Sequence, residues 1–284
     1  MKIFRRRLIQ LAAFGFTNAQ VLNLASGKIY KGELKNFCAP GLNCYSCPAA
    51  SFSCPIGAMQ AVAATSGFNF GFYAAGIILA FGILFGRAVC GFLCPFGFFQ
   101  ELLHKIPTPK KILWRPLMYA KYFVLAVFVL ILPLTLTNYA GVGLPAFCQY
   151  ICPAGTLEGS LPLLATRPEL RQVVGSLFAW KFFILVVVIF GSVIFYRFFC
   201  RVLCPLGAIY GLLNRISFYR LTVDENLCIN CGRCKKICGM NVDPVRQNDS
   251  AECIRCGECA AACPKKAIAI NFSTSLEKRD DCLE

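Results

Sequence analysis

Cys228-Ile-Asn-Cys231-Gly-Arg-Cys234-Lys-Lys-Ile-Cys238, followed by Cys253-Ile-Arg-Cys256-Gly-Glu-Cys259-Ala-Ala-Ala-Cys263-Pro264, is the stretch that decides the C-terminal fold. Both runs have the spacing C-x2-C-x2-C-x3-C. Three closely spaced thiolates can wrap one face of an iron–sulfur cube, while the fourth, carried on the following helix, reaches the neighbouring cube. The spacing predicts a small α+β domain of the bacterial 2[4Fe-4S] type over 221–272. One cluster would sit on Cys228, Cys231, Cys234 and Cys263, the second on Cys253, Cys256, Cys259 and Cys238. Structural zinc favours paired C-x-x-C knuckles instead. Gly239 stands after Cys238 where a proline would be usual; it relaxes the turn and removes no ligand.

Upstream of this run the composition changes. The chain has 284 residues, 57% hydrophobic and only 15% charged, with a mean hydropathy of +0.60. A water-soluble domain of this size carries more charge, so residues 1–220 read as a membrane domain. A membrane helix needs about 20 mostly apolar residues. Four stretches qualify: Leu8 to Ala25 (the weakest), Phe68 to Gly86, Leu117 to Thr137, and Phe178 to Tyr196. The fold class expected is therefore an α-helical membrane protein, with four transmembrane helices in two internal repeats and a C-terminal ferredoxin domain. Residues 273–284, including Cys282, read as a polar tail.

Lys2, Arg5, Arg6 and Arg7 place the N-terminus on the cytoplasmic side, as do Arg87, Lys105, Lys110, Lys111 and Arg115 after the second span and Arg197, Arg201, Arg215 and Arg220 after the fourth. The net charge of +15 is thus matched to the anionic surface of a lipid bilayer, not to nucleic acid. Both termini and the ferredoxin domain would be cytoplasmic, in an inner membrane. The polar interruptions at Thr17, Asn18, Gln20 and Asn23 argue against a cleaved signal peptide.

Four times the chain writes Cys-Pro-x-Gly, at Cys54, Cys94, Cys152 and Cys204, and in three of these another cysteine stands four residues earlier, at Cys90, Cys148 and Cys200. The expected topology puts Cys90, Cys94, Cys200 and Cys204 at the inner membrane edge. The i, i+4 spacing would turn both sulfurs of a motif to one face of a last helical turn, with proline ending the helix and glycine permitting a reversal. Two such motifs face to face supply the four thiolates of another [4Fe-4S] cluster. Ordinary packing of small apolar cysteines, or a dithiol that cycles through a disulfide, are the competing readings. The outer set is less regular. Cys47, Cys54, Cys148 and Cys152 are the favoured ligands, with Cys44 as the alternative; Cys38 is left over, and disulfides compete on an oxidising side. One histidine, His104, and no C-x-x-C-H argue against haem held by this chain alone. Glu101, His104 and Lys105 offer a quinone or proton site at the inner interface, or only a helix anchor. Trp114, Trp180, Tyr119 and Tyr122 read as interfacial aromatics.

With Arg5-Arg-Arg-Leu8-Ile-Gln-Leu11, Cys90-Gly-Phe-Leu-Cys94-Pro-Phe-Gly97, Cys200-Arg-Val-Leu-Cys204-Pro-Leu-Gly207 and the double ferredoxin run, the whole chain resembles the NapH/NosR-type polyferredoxin membrane proteins. That resemblance implies [4Fe-4S] clusters and quinol- or ferredoxin-linked electron transfer into or across the membrane. It implies redox partners on both sides: a cytoplasmic ferredoxin-like donor, and an extracytoplasmic cytochrome c, flavoprotein or iron–sulfur reductase. The chain lacks the large flavin-binding portion of NosR-like proteins and adds cysteine-rich outer loops. Two alternatives are quinone-linked transfer with no crossing, and a thiol- or metal-handling assembly factor driven by the ferredoxin clusters.

Overall fold

The computed structural model of the protein describes residues 3–66, 72–136 and 143–272; Cys282 and the tail lie outside them. Among the described residues the fold is mostly helical, ending in a two-stranded sheet. Two helices, Arg115–Thr135 and Ser176–Ile194, are long and apolar enough to cross a membrane by length and composition. Their flanks expose large apolar side chains, Phe183 and Phe190 among them at 58% and 66% exposure, which water would not cover favourably. The Arg115–Thr135 helix opens as a 3-10 turn and widens to π geometry over Leu125–Ile131 before Pro133. Proline has no N–H to close the preceding turn, so the ladder loosens there. Phe72–Phe85 continues the apolar pattern as a 14-residue helix.

The expected first span from Leu8 to Ala25 is broken. A helix runs over Ile3–Thr17 and a separate short one over Leu22–Ser26. The break has a local cause: Thr17 Oγ1 turns back to donate to the Ala13 carbonyl at 2.8 Å, and Asn18 Nδ2 donates to Phe14 O at 3.2 Å. Side chains that satisfy the last carbonyls in this way end a helix. The freed backbone then pairs with an incoming loop, Ser51 N to Thr17 O at 3.0 Å and Gln20 N to Ala49 O at 3.1 Å.

The prolines of the Cys-Pro-x-Gly motifs act opposite to expectation. They open helices, at Pro55–Ser66, Pro95–Leu103 and Pro205–Leu213, with Cys94 and Cys204 as extended N-cap residues. Proline suits the first helical position, where no N–H is needed and φ is already set. The preceding cysteines, Cys90 and Cys200, sit in separate short helices, Ala88–Phe92 and Phe198–Val202. Each motif is thus a helix–break–helix, not one turn. Its glycine serves close approach: a Cβ on Gly97 would lie 3.0 Å from Cys90 O, and one on Gly207 2.9 Å from Cys200 O.

The short helices pack crosswise. Pro95–Leu103 lies on Ser176–Ile194, and Pro205–Leu213 lies on Phe72–Phe85. One apolar core, containing Leu42, Ile56, Phe96, Phe147, Phe199 and Tyr210, also takes in Cys54, Cys90, Cys94, Cys152 and Cys204. The C-terminal segment folds on strands β1 (Tyr219–Val223) and β2 (Ile268–Phe272), antiparallel with Leu221 opposite Ile270. Two short helices, Arg233–Ile237 and Glu258–Ala262, pack together beside them.

Candidate iron–sulfur sites

In the C-terminal segment the thiols fall into two cavities. Cys228, Cys231, Cys234 and Cys263 line one; Cys238, Cys253, Cys256 and Cys259 line the other. These are the two ligand sets expected from spacing, including the exchanged fourth cysteines. The two loops share a backbone path: Asn230 and Arg255 are left-handed at φ 51° and 49°, and Gly232 and Gly257 at 69° and 81° start the short helices. In the second cavity burial, then Glu258, pushes the Cys256 thiol up to about 12. Burial, then Cys253, Cys256 and Cys238, does the same to Cys259. Thiols so placed stay protonated near neutral pH unless a cation joins them.

This second cavity is docked onto the rest of the chain. A Cβ on Gly91, next to Cys90, would meet the Ile254 carbonyl at 2.7 Å, so the Cys253–Cys256 loop rests on backbone beside Cys90. Asn214 Nδ2 donates to the Ser250 and Cys253 carbonyls at 2.7 and 3.0 Å. Arg255, wholly buried, donates to Ser217 Oγ and Asn214 O, both at 2.5 Å, and to Tyr219 O. Gly239 has its explanation here. A Cβ at that position would stand 3.0 Å from the Tyr196 ring, so a proline would push the domain away.

Cys90, Cys94, Cys200 and Cys204 form a third buried group, each within electrostatic reach of the others. Two arginines close it reciprocally. Arg87, three residues before Cys90, crosses to donate to Cys200 O at 2.9 Å, while Arg197, three residues before Cys200, crosses to donate to Cys90 O at 2.5 Å. Both are fully buried and held by acids. Arg87 pairs with Glu252 at 2.9 Å, which also holds Lys121; Arg197 pairs with Glu101 at 2.6 Å. Gln100 donates from Nε2 to Cys200 Sγ at 3.0 Å and accepts from Phe199 N at 2.9 Å.

The fourth group has Cys44, the alternative in the expected outer set, in place of Cys47. Cys44, Cys54, Cys148 and Cys152 line a cavity of about 210 Å³. Cys47 does not; it packs with Ala49 and Ala50 in a separate small core, and the Ala50 amide donates to its carbonyl at 3.2 Å. Cys44 is drawn in because its amide donates to Glu158 Oε2 at 2.8 Å, from the helix that follows Cys152. Cys38 bridges to Ser53 through backbone and stands apart. The eighteen described cysteines carry no disulfide. Gln60 repeats the geometry of Gln100: it donates to Cys148 Sγ at 3.4 Å and accepts from Phe147 N at 3.0 Å.

Glu101 lines none of these cavities. It is buried among Arg6, Arg7 at 2.5 Å, Arg197, and the Tyr196 hydroxyl at 2.8 Å, and Arg6 continues to Glu258 at 2.6 Å. His104 stacks edge-on against Tyr196, with Nδ1 3.2 Å from Ser192 O. The Lys105 amide closes a turn on Leu102 O at 3.1 Å.

Two family models, both described as 4Fe-4S binding domains, match the chain, one at residues 69–113, 122–160 and 177–220 and the other at 247–269. An uncharacterized protein of Methanocaldococcus jannaschii is 32% identical over 215 residues, covering 72% of this chain and 79% of that protein. The chain belongs to the NapH-type polyferredoxin family. It is also similar to the methylamine utilization ferredoxin-type protein MauN of Paracoccus denitrificans, 26% over 160 residues, and to the ferredoxin-type protein NapH of Haemophilus influenzae, 23% over 141 residues. It spans about half the length of each, 48% and 49%, and they match 54% and 35% of it. No solved structure matches.

The polyferredoxin's donor sets suit iron–sulfur clusters. Each group offers four cysteine sulfurs, and among the described residues no three Cys, His, Asp or Glu side chains converge closely enough to hold a single ion. In the two ferredoxin sets and in the group of Cys44, Cys54, Cys148 and Cys152 the thiols line a cavity, as a cube requires. The Arg87 Nε–H, buried beside Cys90 and Cys200 without a partner, suits an anionic group there. The clusters supply one-electron redox chemistry, and the polyferredoxin transfers electrons through them. Arg87, Arg197, Gln60 and Gln100 escaped the reading of spacings, although a signal was present. The arginines share one offset before the first cysteine, and the glutamines lie six residues after Cys54 and Cys94.

Proposed function

We propose that the polyferredoxin is a four-span membrane protein, built as two repeats over residues 1–220, that carries electrons through four [4Fe-4S] centres between a cytoplasmic donor and an extracytoplasmic redox partner. The ligands are the two ferredoxin sets, the quartet Cys90, Cys94, Cys200 and Cys204, and the quartet Cys44, Cys54, Cys148 and Cys152. Both termini and the ferredoxin domain face the cytoplasm. The cytoplasmic donor is ferredoxin-like; the acceptor outside is a cytochrome c, a flavoprotein or an iron–sulfur reductase.

The observation that carries this reading is the seating of the Cys253–Cys256 loop on Gly91, with Arg87 spanning from Glu252 to Cys200 O. A ligand loop of the ferredoxin domain thereby abuts a ligand segment of the membrane domain. The protein, sealed in vesicles around an oxidised one-electron dye and reduced from outside, should reduce the enclosed dye. Reduction of the clusters with no reduction of the dye would reject a crossing.

A quinone-linked reading has its own observation. An apolar cleft of about 280 Å³, walled by Phe85, Val89, Phe92, Leu93, Tyr219 and Phe272, opens beside Cys90 and Cys94. A quinone analogue that blocks cluster reoxidation without entering the vesicle assay would favour that ending.

Gln100 supports the quartet's redox tuning. An N–H donated to a ligand sulfur favours the more negative, reduced state. Losing a hydrogen bond of about 1 kcal/mol lowers a one-electron midpoint by roughly 40 mV. Gln100→Leu should lower one midpoint by that order in a redox titration followed by paramagnetic resonance, and leave the ferredoxin pair unmoved. An unshifted set of midpoints would reject the role.

A further inference from the structure

The two cysteine quartets outside the ferredoxin segment were expected at opposite faces of a bilayer about 30 Å thick. Their residues instead meet. The segment that leads into Cys44 runs along the Cys90 quartet first. A Cβ on Gly41 would lie 2.8 Å from Cys94 Cα and 3.2 Å from Leu93 O. The Leu42 amide lies beside the Cys94 thiol, and the next amide, Asn43, beside the Cys54 thiol. Leu42 and Asn43 also form a wall of the cavity lined by Cys44, Cys54, Cys148 and Cys152. Tyr210 stands at the same place: its hydroxyl donates to Pro40 O at 2.8 Å, and its neighbours include Cys90, Cys94, Cys204 and Cys54.

We infer that the Leu42–Asn43 peptide is a shared wall between the two quartets, holding them as one double centre inside the membrane domain, edge to edge. This inference rests on the reading that both quartets bind [4Fe-4S] clusters. With a cluster held by each quartet, one electron would pass directly from the reduced Cys90 quartet to the oxidised Cys54 quartet. No bond is made and no proton moves. The electron comes from a ferredoxin-type donor and leaves to a one-electron acceptor on the loop side. A quinone between the two centres is unnecessary. The two sites divide the thickness of the membrane differently from two separate surface clusters, since the loop from Pro40 to Cys54 brings its ligands inward to the partner site.

Burial supports the same picture. Leu42 is 2% exposed and Asn43 fully buried, and both quartets contribute cysteines to one apolar core.

Paramagnetic resonance of the fully reduced protein tests this, compared with the Cys90→Ser/Cys200→Ser and Cys148→Ser/Cys152→Ser variants. The expected result is a loss of about four irons in each variant, and a wild-type spectrum with split, fast-relaxing lines that neither variant retains. If each variant loses its four irons but the wild-type spectrum is the simple sum of isolated centres, the shared wall is overturned while the cluster reading stands. If Cys148→Ser/Cys152→Ser loses no iron, the loop quartet holds no cluster, and both readings fall. Gly41→Val should keep the wild-type iron content and weaken the splitting; full iron with unchanged splitting would overturn the role of the peptide.

Discussion

Replacing Cys90 and Cys200 together by serine is expected to remove one four-iron centre and stop transmembrane electron flow, while the ferredoxin clusters survive. The two thiols come from different halves of the chain, on the Ala88–Phe92 and Phe198–Val202 helices, and they are half of one quartet. Cys94 and Cys204 alone cannot enclose a cube, since a [4Fe-4S] cluster uses four thiolates. Iron per chain should fall from about sixteen to about twelve, with sulfide falling in parallel. All eight ferredoxin ligands lie between Cys228 and Cys263, in their own two cavities, so their signals should persist. Reduction of a dye sealed inside vesicles should drop to background. Unchanged iron would show that the quartet does not hold a cluster. A normal dye signal at twelve irons would show that electrons take another path.

Glu101→Leu is expected to be the most destabilising single change outside the cluster ligands. The carboxylate is inaccessible and gathers Arg6, Arg7 and Arg197 with the Tyr196 hydroxyl. Removing it strands guanidinium groups that are themselves buried, which costs about 3–5 kcal/mol. Glu101→Gln keeps the shape and some hydrogen bonds and should lie between leucine and the parent. The effect also appears as a pH dependence. Burial alone would raise this carboxyl, but Arg197 and then Arg6 outweigh it and hold it at about 2, below the ordinary 4.5. A folded value below the unfolded one gives stability that is complete above about 4.5 and is lost as the pH falls toward 2. Thermal unfolding in detergent across that range should show a steeper slope in the parent than in Glu101→Leu, where Glu252 is left to titrate. Equal slopes, or a leucine variant as stable as the parent, would refute the role of this cluster.

The groupings of the ferredoxin cysteines and of Cys90, Cys94, Cys200 and Cys204 were legible because short, repeated spacings carry them. Local geometry determines which sulfurs can share a cube, and both the C-x2-C-x2-C-x3-C run and the paired C-x3-C-P motif are local. The fourth quartet was harder to read because its membership is set at long range. Cys44 belongs because Glu158, more than a hundred residues away, accepts its amide proton, whereas Cys47, three residues further on, packs with Ala49 and Ala50. Proline was read as a terminator because spacing does not say on which side of it the helix lies; the structure puts the helix after it, at Pro95 and Pro205. The break after Thr17 depends on a polar pair, Thr17 and Asn18, and on a loop around Ala49 to Ser51 that no hydropathy window contains. Gly239 looked like a relaxed turn and is a docking contact, visible only with Tyr196 beside it.

The crossed arginines have a consequence for biogenesis. Arg87 closes on Cys200 and Arg197 closes on Cys90, so neither half of the chain contains its own clasp. During synthesis the first half, with Cys90 and Cys94 already made, stays an open and unclosed receptor until residue 207 has emerged and inserted. A cluster at that quartet would therefore be loaded late, because a chain truncated between the halves holds only two of the four thiols. The exchange acts as a check on assembly: only a chain in which both halves have been made holds both clasps.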